Sequence, residues 1–546
     1  MKPAEIALLK KWIAAGAKWP EAPAAAPPQP GELVGDLAFL RRATLDATGR
    51  IPTPEEIAAF ENDAPETRRA HAIDRLLEDK GWADRWTPYW QDVLAENPNI
   101  LKPNLNNTGP FRWWIHESLY DNKPMDRFVT ELVMMRGSVY GGGPAGFALA
   151  TQNDVPMAAK AHVLSAAFLG TDMKCARCHD SPYHSTKQGD LFSMAAMLER
   201  KPITIPKTSS VVFDPHARKP LITVTLKAGT KVEPGFAFHD LAGGVPDGVV
   251  RDGSDSRERL AAWLTSPNNW RFAEVLVNRM WERLLGRGIV EDPDDWEGRD
   301  PSHPDLLRYL ARDFVIGGYD LKRTARLIMD SHAYQRAARA QVGAEARFFA
   351  APQPRRLSAE QIVDSLFAAA GKDLATEQLN MDIDGASPAS TMMNLGYPRR
   401  AWEFASLSNE RDRPALAMPR AQSVVDALEA FGWRSSRQAP ESHREQGVNA
   451  LQPATLLNGN VSRRIASLSD DSAFTDLALR DQSVEALVEA TFLRILTRRP
   501  TPKEAQTFAR MLADGYADRL TPQDELPAES AQKRERYVSW SNHLSA

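Results

Sequence analysis

Residues 158–180 read Ala158-Ala-Lys-Ala-His-Val-Leu-Ser-Ala-Ala-Phe-Leu-Gly-Thr-Asp-Met-Lys-Cys-Ala-Arg-Cys-His-Asp180. The first half, Ala158–Leu169, is a helical run. The second half holds Cys175-Ala-Arg-Cys178-His179. A thioredoxin-like dithiol would follow a β-strand in a βαβ unit. This cysteine pair follows a helix. The expected fold is mainly α, with two helical domains and a small β-rich insert between them.

Each part of Cys-x-x-Cys-His has a chemical task. Two thiols at that spacing can both form thioethers to one porphyrin, and the next histidine is then held beneath the iron as an axial ligand. Cys175 and Cys178 are the only two cysteines in the chain. A disulfide scaffold or a four-thiolate zinc site needs more. Covalent haem c is the leading reading, and a redox-active dithiol and a metal or inert pair stay open as alternatives. The expected haem-binding residues are Cys175, Cys178, His179, Met194 and Met197, with His179 as the metal ligand. His184 follows His179 by five residues, a reach of at most about 17 Å, too short to round a porphyrin edge. Met194 and Met197 come after the polar loop Ser185–Asp190 and share one helical face. Core packing and a five-coordinate iron compete with that assignment. Lys174, Arg177, Lys187, Arg200 and Lys201 make the segment basic, suited to haem propionates, an acidic redox partner or a plain solvated face.

Outward from this segment, 546 residues exceed what one core serves, and 43% hydrophobic with 25% charged residues is ordinary for a globular protein. A net charge of −4 gives no field to recruit nucleic acid. No window is apolar enough to span a membrane. The chain opens Met1-Lys2-Pro3-Ala4-Glu5, without a secretory signal. Residues 5–17 suggest an amphipathic helix with Ile6, Leu9, Trp12 and Ile13 on one face. A stiff Pro/Ala linker over 21–34 precedes a helical domain over 35–202. Trp82, Trp86, Tyr89 and Trp90 fall at helical spacing, a core stripe. Ile203–Ile205, Ser210–Phe213 and Leu221–Leu226 mark a β-rich insert over 203–252. A second helical domain covers 253–515, and 516–546 is a polar tail.

Pro52-Thr53-Pro54-x-Glu56-x-x-x-Phe60 returns as Pro500-Thr501-Pro502-x-Glu504-x-x-x-Phe508. Each is a capping box with proline at the first helical position, and each follows Phe-Leu-Arg. The acidic run Glu291–Glu297 lacks EF-hand spacing, and a solvated turn explains it better than a cation site. Gly141–Gly146 lacks the Lys-Ser/Thr of a phosphate loop, His116-Glu117 does not continue to a zincin histidine, and no Gly-x-Ser-x-Gly elbow exists.

The chain resembles planctomycete proteins that fuse a cytochrome c domain to two domains of unknown function, numbered 1549 and 1553. Phe39–Pro54 and Ala166–Asp180 resemble parts of the first. Val277–Gly288, Pro301–Leu307, Arg356–Gln361 and Leu451–Asn458 resemble parts of the second. Residues 1–20 resemble the end of the cytochrome domain, which implies that the signal and the first haem motif lie upstream. The family often reads Cys-x-x-Cys-His-Asp-His-Pro-Phe; here Ser181 stands at the second histidine and His184 follows three residues later. The resemblance implies an exported, periplasmic, haem-linked protein with a redox partner, and it supplies no substrate. A non-redox scaffold and an enzyme with a site between the helical domains are the alternatives.

Overall fold

The computed structural model describes residues 28–520, apart from 97–108, 138–142, 149–154, 210–221, 239–244, 246, 342, 378, 382–392, 405–418, 435–436, 438 and 445–446, together with a few positions between 6 and 14. The architecture is mainly α. Among the described residues the sheet content is two two-stranded antiparallel pairs.

The aromatic stripe organises the main core. Helix Gly81–Val93 places Trp82, Trp86, Tyr89 and Trp90 four or fewer residues apart, and all four are buried. Their rings form a continuous chain, with Trp86 edge-on to Tyr89 at 5.9 Å and Tyr89 edge-on to Trp90 at 5.7 Å. Trp90 stacks on Phe168 at 6.0 Å, and Phe168 meets Phe272 at 6.1 Å. Phe168 lies on helix Pro156–Leu169 and Phe272 on helix Trp270–Leu285. One hydrophobic core therefore runs from Phe39 to Phe349.

That continuity crosses the expected β-rich segment at 203–252. Helices on both sides of the insert bury their apolar faces against each other, so neither side owns a separate core. The break comes later. A second, smaller core spans Ala359 to Ile465 and is built around Phe367, Leu428 and Trp433.

The insert itself is slight. Ile203–Thr204 pairs with Lys231–Val232, Ile203 opposite Val232. Thr223 bridges Asp180. Ser210–Phe213 and Leu221 lie outside the described residues, as do Leu9, Trp12 and Ile13 of the expected first helix. The end of the Pro/Ala linker is fixed in place: Gly31 N donates to Ala350 O at 2.9 Å and Val34 N to Gln335 O at 2.9 Å. The start of the polar tail is also tied, because Tyr516 Oη donates to Gln482 O at 3.0 Å. No helix among the described residues is long and apolar enough to cross a membrane.

Candidate functional site

Helix Pro156–Leu169 begins on a proline and ends at Gly170 in the left-handed region, φ 58°. Glycine is required there twice over. The positive φ disfavours a side chain, and a Cβ would lie 2.7 Å from Trp296 Cδ1. The chain then turns on Asp172, whose Oδ1 accepts from Lys174 N at 2.6 Å. Met173 is fully buried, and its N–H donates to His162 Nδ1 at 3.3 Å. These anchors present Cys175–Arg177 as one 3-10 turn. Cys178 N and His179 N both donate to Cys175 O, at 3.1 and 3.2 Å.

Both thiols are free and half-buried. His179 Nδ1 lies 2.8 Å from Asp180 O. That contact orients the ring and leaves Nε2 as the nitrogen available to a ligand. Asp180 is a hub: its Oδ1 accepts from Gln188 N at 2.9 Å and Thr225 Oγ1 at 2.8 Å. It therefore joins the motif to the start of helix Gln188–Glu199 and to the insert.

Helix Gln188–Glu199 packs against the motif turn, so the sequence order brings the methionines close. Yet Met194 and Met197 are each 1% exposed and belong to the main core. Methionine is a common filler of such a core. His184 is engaged elsewhere: Nδ1 is 2.9 Å from Ser181 Oγ and Nε2 is 3.0 Å from Asp295 Oδ2. Of the basic residues, Arg200 is forked onto Asp255 at 2.9 and 2.8 Å and Lys201 pairs with Glu199 at 3.3 Å. Lys174 and Lys187 are exposed.

The acidic run is a turn exposed at Glu291 and Glu297, but it is also tied to the rest of the fold. Trp296 N donates to Gly170 O at 2.8 Å, Asp295 holds His184, and Glu297 accepts from Ser185 N and Oγ at 3.1 and 3.0 Å. Asp294 is paired with Arg279 at 2.8 Å and accepts from Ser442 N at 2.8 Å. Burial raises the Asp294 pKa, but Arg279 and Ser442 outweigh it and hold the carboxyl below its usual range. Arg279 also donates to Ala166 O at 2.7 Å and Ala167 O at 2.9 Å. The acidic run is thus the clamp on the lead-in to the motif. Sequence reading missed Arg279 because nothing in Asn278-Arg-Met marks a cation aimed at carbonyls over a hundred residues away. Among the described residues no cluster of three His, Cys, Asp or Glu is arranged to hold a metal ion.

A second polar cluster joins Asp84 and His116 to Arg400 and Trp402. Asp84 Oδ1 is 3.1 Å from His116 Nε2 and accepts from Trp402 Nε1 at 2.8 Å, while Arg400 reaches Asp84 Oδ2 at 3.0 Å. Nearby Glu403 is pushed up to about 7, by burial first and then by the Asp84 charge.

Residues 24–202 match the family model described as a protein of unknown function, DUF1549 (PSCyt2), and residues 256–512 match that of a protein of unknown function, DUF1553 (PSD1). No curated protein and no solved structure matches the chain.

Proposed function

We propose that this chain, which carries the two planctomycete cytochrome c-associated domains of unknown function in tandem, is an exported, periplasmic c-type haem protein that exchanges electrons with a partner protein. The observation that carries the reading is the motif turn: two free thiols and one oriented imidazole on five consecutive residues. The donor set suits a covalent haem. Cys175 and Cys178 would hold the haem through thioethers, and His179 Nε2 would bind its iron. The bound haem would supply one-electron exchange. The chain's own contribution is positional. Asp172 and His162 hold the turn from one side, Asp180 fixes the imidazole from the other, and the acidic run braces the helix beneath. Exposed Lys174 and Tyr183, the latter 83% exposed, offer a surface beside the motif for an acidic partner.

The test is expression in a host with haem-attachment machinery. The expected result is a mass increase of one haem and a reducible absorption spectrum. Cys175→Ala or Cys178→Ala should lower covalent haem sharply, and His179→Ala should change the spectrum more than the attachment. Met194→Leu and Met197→Leu test the expected sixth ligand: loss of the methionine-to-iron band in one of them supports it, and an unchanged spectrum in both removes it. Wild-type protein with two titratable thiols and no haem under those conditions overturns the reading.

A further inference from the structure

Two adjoining cavities of about 320 and 420 Å³ lie away from the motif and share Arg85, Arg283, Arg356, Leu357 and His443 in their walls. Arg85 comes from helix Gly81–Val93 and Arg283 from helix Trp270–Leu285, one from each matched domain. Arg85 is 6% exposed. The Nε–H groups of both arginines are buried without a hydrogen-bond partner. Aromatic rings hold the two guanidiniums: Arg283 sits over Tyr89 at 4.9 Å and Arg85 over Trp86 at 5.8 Å. A ring positions a guanidinium without neutralising it.

Neighbouring arginines show what neutralisation looks like here. Arg355 pairs with Asp46 at 2.8 Å, Arg437 with Asp92 at 2.6 Å and Arg444 with Glu360 at 2.8 Å. Those pairs use up the acids of the cavity walls. Glu282 is also taken, by His443 at 3.1 Å. Further cationic charge comes from Arg42, which donates only to the neutral carbonyls Tyr334 O and Arg336 O, at 2.6 and 2.7 Å. Burial, followed by the Arg283 charge, depresses the Arg85 pKa to about 9. Arg85 and Arg283 feel the charges of Asp46, Glu360 and Glu282 but form no direct ion pair among the described residues; enclosed cations held this way cost stability, and natural chains retain such features where a ligand uses them.

We propose that these cavities form a binding site for a small molecule carrying a tetrahedral oxyanion, a phosphate or sulfate group, gripped between Arg85 and Arg283. Two guanidinium forks from different helices match a group with three or four oxygens and a double negative charge. The volumes exceed what the oxyanion needs and lie in the range of small-molecule pockets, so the remaining space would take the organic part. Neither arginine belongs to the motif, so this site stands or falls independently of haem.

The test is calorimetric titration of the full chain in low-salt buffer with inorganic phosphate, inorganic sulfate and acetate as separate probes. Because phosphate and sulfate stabilise proteins non-specifically, saturable heat is the readout. Saturable binding of phosphate, sulfate or both is expected, weakened at least about tenfold in Arg85→Leu and in Arg283→Leu. Without ligand both variants should melt no lower than the parent. A structural arginine would behave oppositely, with melting temperature lost and binding kept. Arg85→Lys keeps the charge without the fork; it should fold and bind more weakly, and it carries the test if a Leu variant fails to fold. Absence of saturable binding, binding of acetate alone, or equal affinity in the variants overturns the proposal.

Discussion

The corner at Arg50–Phe60 and the corner at Arg498–Phe508 are built from the same parts and differ in what lies over them. In the first, Thr53 Oγ1 accepts from Glu56 N at 3.3 Å and Glu56 Oε2 from Thr53 N at 2.7 Å. In the second, Thr501 and Glu504 repeat this at 3.3 and 2.8 Å. Arg50 forks onto Glu56 at 2.8 and 2.8 Å, and Arg498 onto Glu504 at 2.9 and 2.8 Å. Even the aromatic pair recurs: Phe39 meets Phe60 at 6.5 Å and Phe492 meets Phe508 at 5.5 Å. The difference is burial. Phe39 and Phe60 are fully buried, whereas Phe508 is 41% exposed. Helix Arg68–Glu78 packs over the first corner, and Arg68 caps the Phe60 ring at 5.7 Å. Helix Pro502–Leu512 has no buried residue. Corner chemistry is local and repeats wherever the residues repeat; burial is decided by the next element along.

The largest effect should separate the two phenylalanines. Phe60→Ala removes a fully enclosed ring and leaves a cavity, at a cost of about 3–5 kcal/mol. Phe508→Ala removes a ring that already faces water, and it should cost well under half of that. Urea unfolding of both variants measures the gap. Equal losses would mean that the second corner is covered after all, and the contrast would collapse.

The same division explains what could be read from the residues. Trp82, Trp86, Tyr89 and Trp90 announced a buried helix face because the period alone decides it. The capping boxes were legible because donor and acceptor are three residues apart. The motif was legible as a donor set, since the thiols and the imidazole need only each other's spacing. Asp294 was misread as part of a solvated turn because its partner Arg279 and its contact Ser442 come from other elements. Met194 and Met197 had the spacing to share one face; that this face is buried in the main core depends on how their helix packs. The segment at 203–252 was legible from a change in composition, while the contact of Phe168 with Phe272, which carries the core across it, was not.

A smaller effect tests whether the caps are truly alike. Thr53→Ala and Thr501→Ala each remove one accepted hydrogen bond at a helix start, worth about 1 kcal/mol. The losses should agree closely, although one corner is half-buried and the other exposed. If Thr53→Ala costs several times more, the surrounding core contributes to the cap, and the corner is less local than its geometry indicates.

The smallest effect concerns acid. Both cap glutamates are held below the ordinary value of 4.5. For Glu56 burial pushes upward, but the hydrogen bond and charge of Arg50 outweigh it. Glu504, with its side chain 32% exposed, is drawn down to about 2, chiefly by the Arg498 hydrogen bond and then by the Thr501 N–H. A depressed folded-state value means that the unfolded chain binds the proton more readily, so each carboxylate stabilises the fold above its unfolded pKa and loses that contribution as pH falls through its folded pKa. For Glu504 the window runs from 4.5 down to about 2. Glu56→Gln and Glu504→Gln should therefore destabilise at near-neutral pH and converge with the parent as acid titrates the parent's carboxylate. Salt separates them. Arg498, with its side chain 46% exposed, leaves its fork open to screening at high ionic strength, while Arg50, with its side chain 20% exposed, is better shielded. Unfolding measured at low and high salt, at about pH 6 and about pH 3, should show a smaller and more salt-sensitive loss for Glu504→Gln. A larger loss there than for Glu56→Gln would reverse the ranking of the two corners and show that burial weakens this fork more than water does.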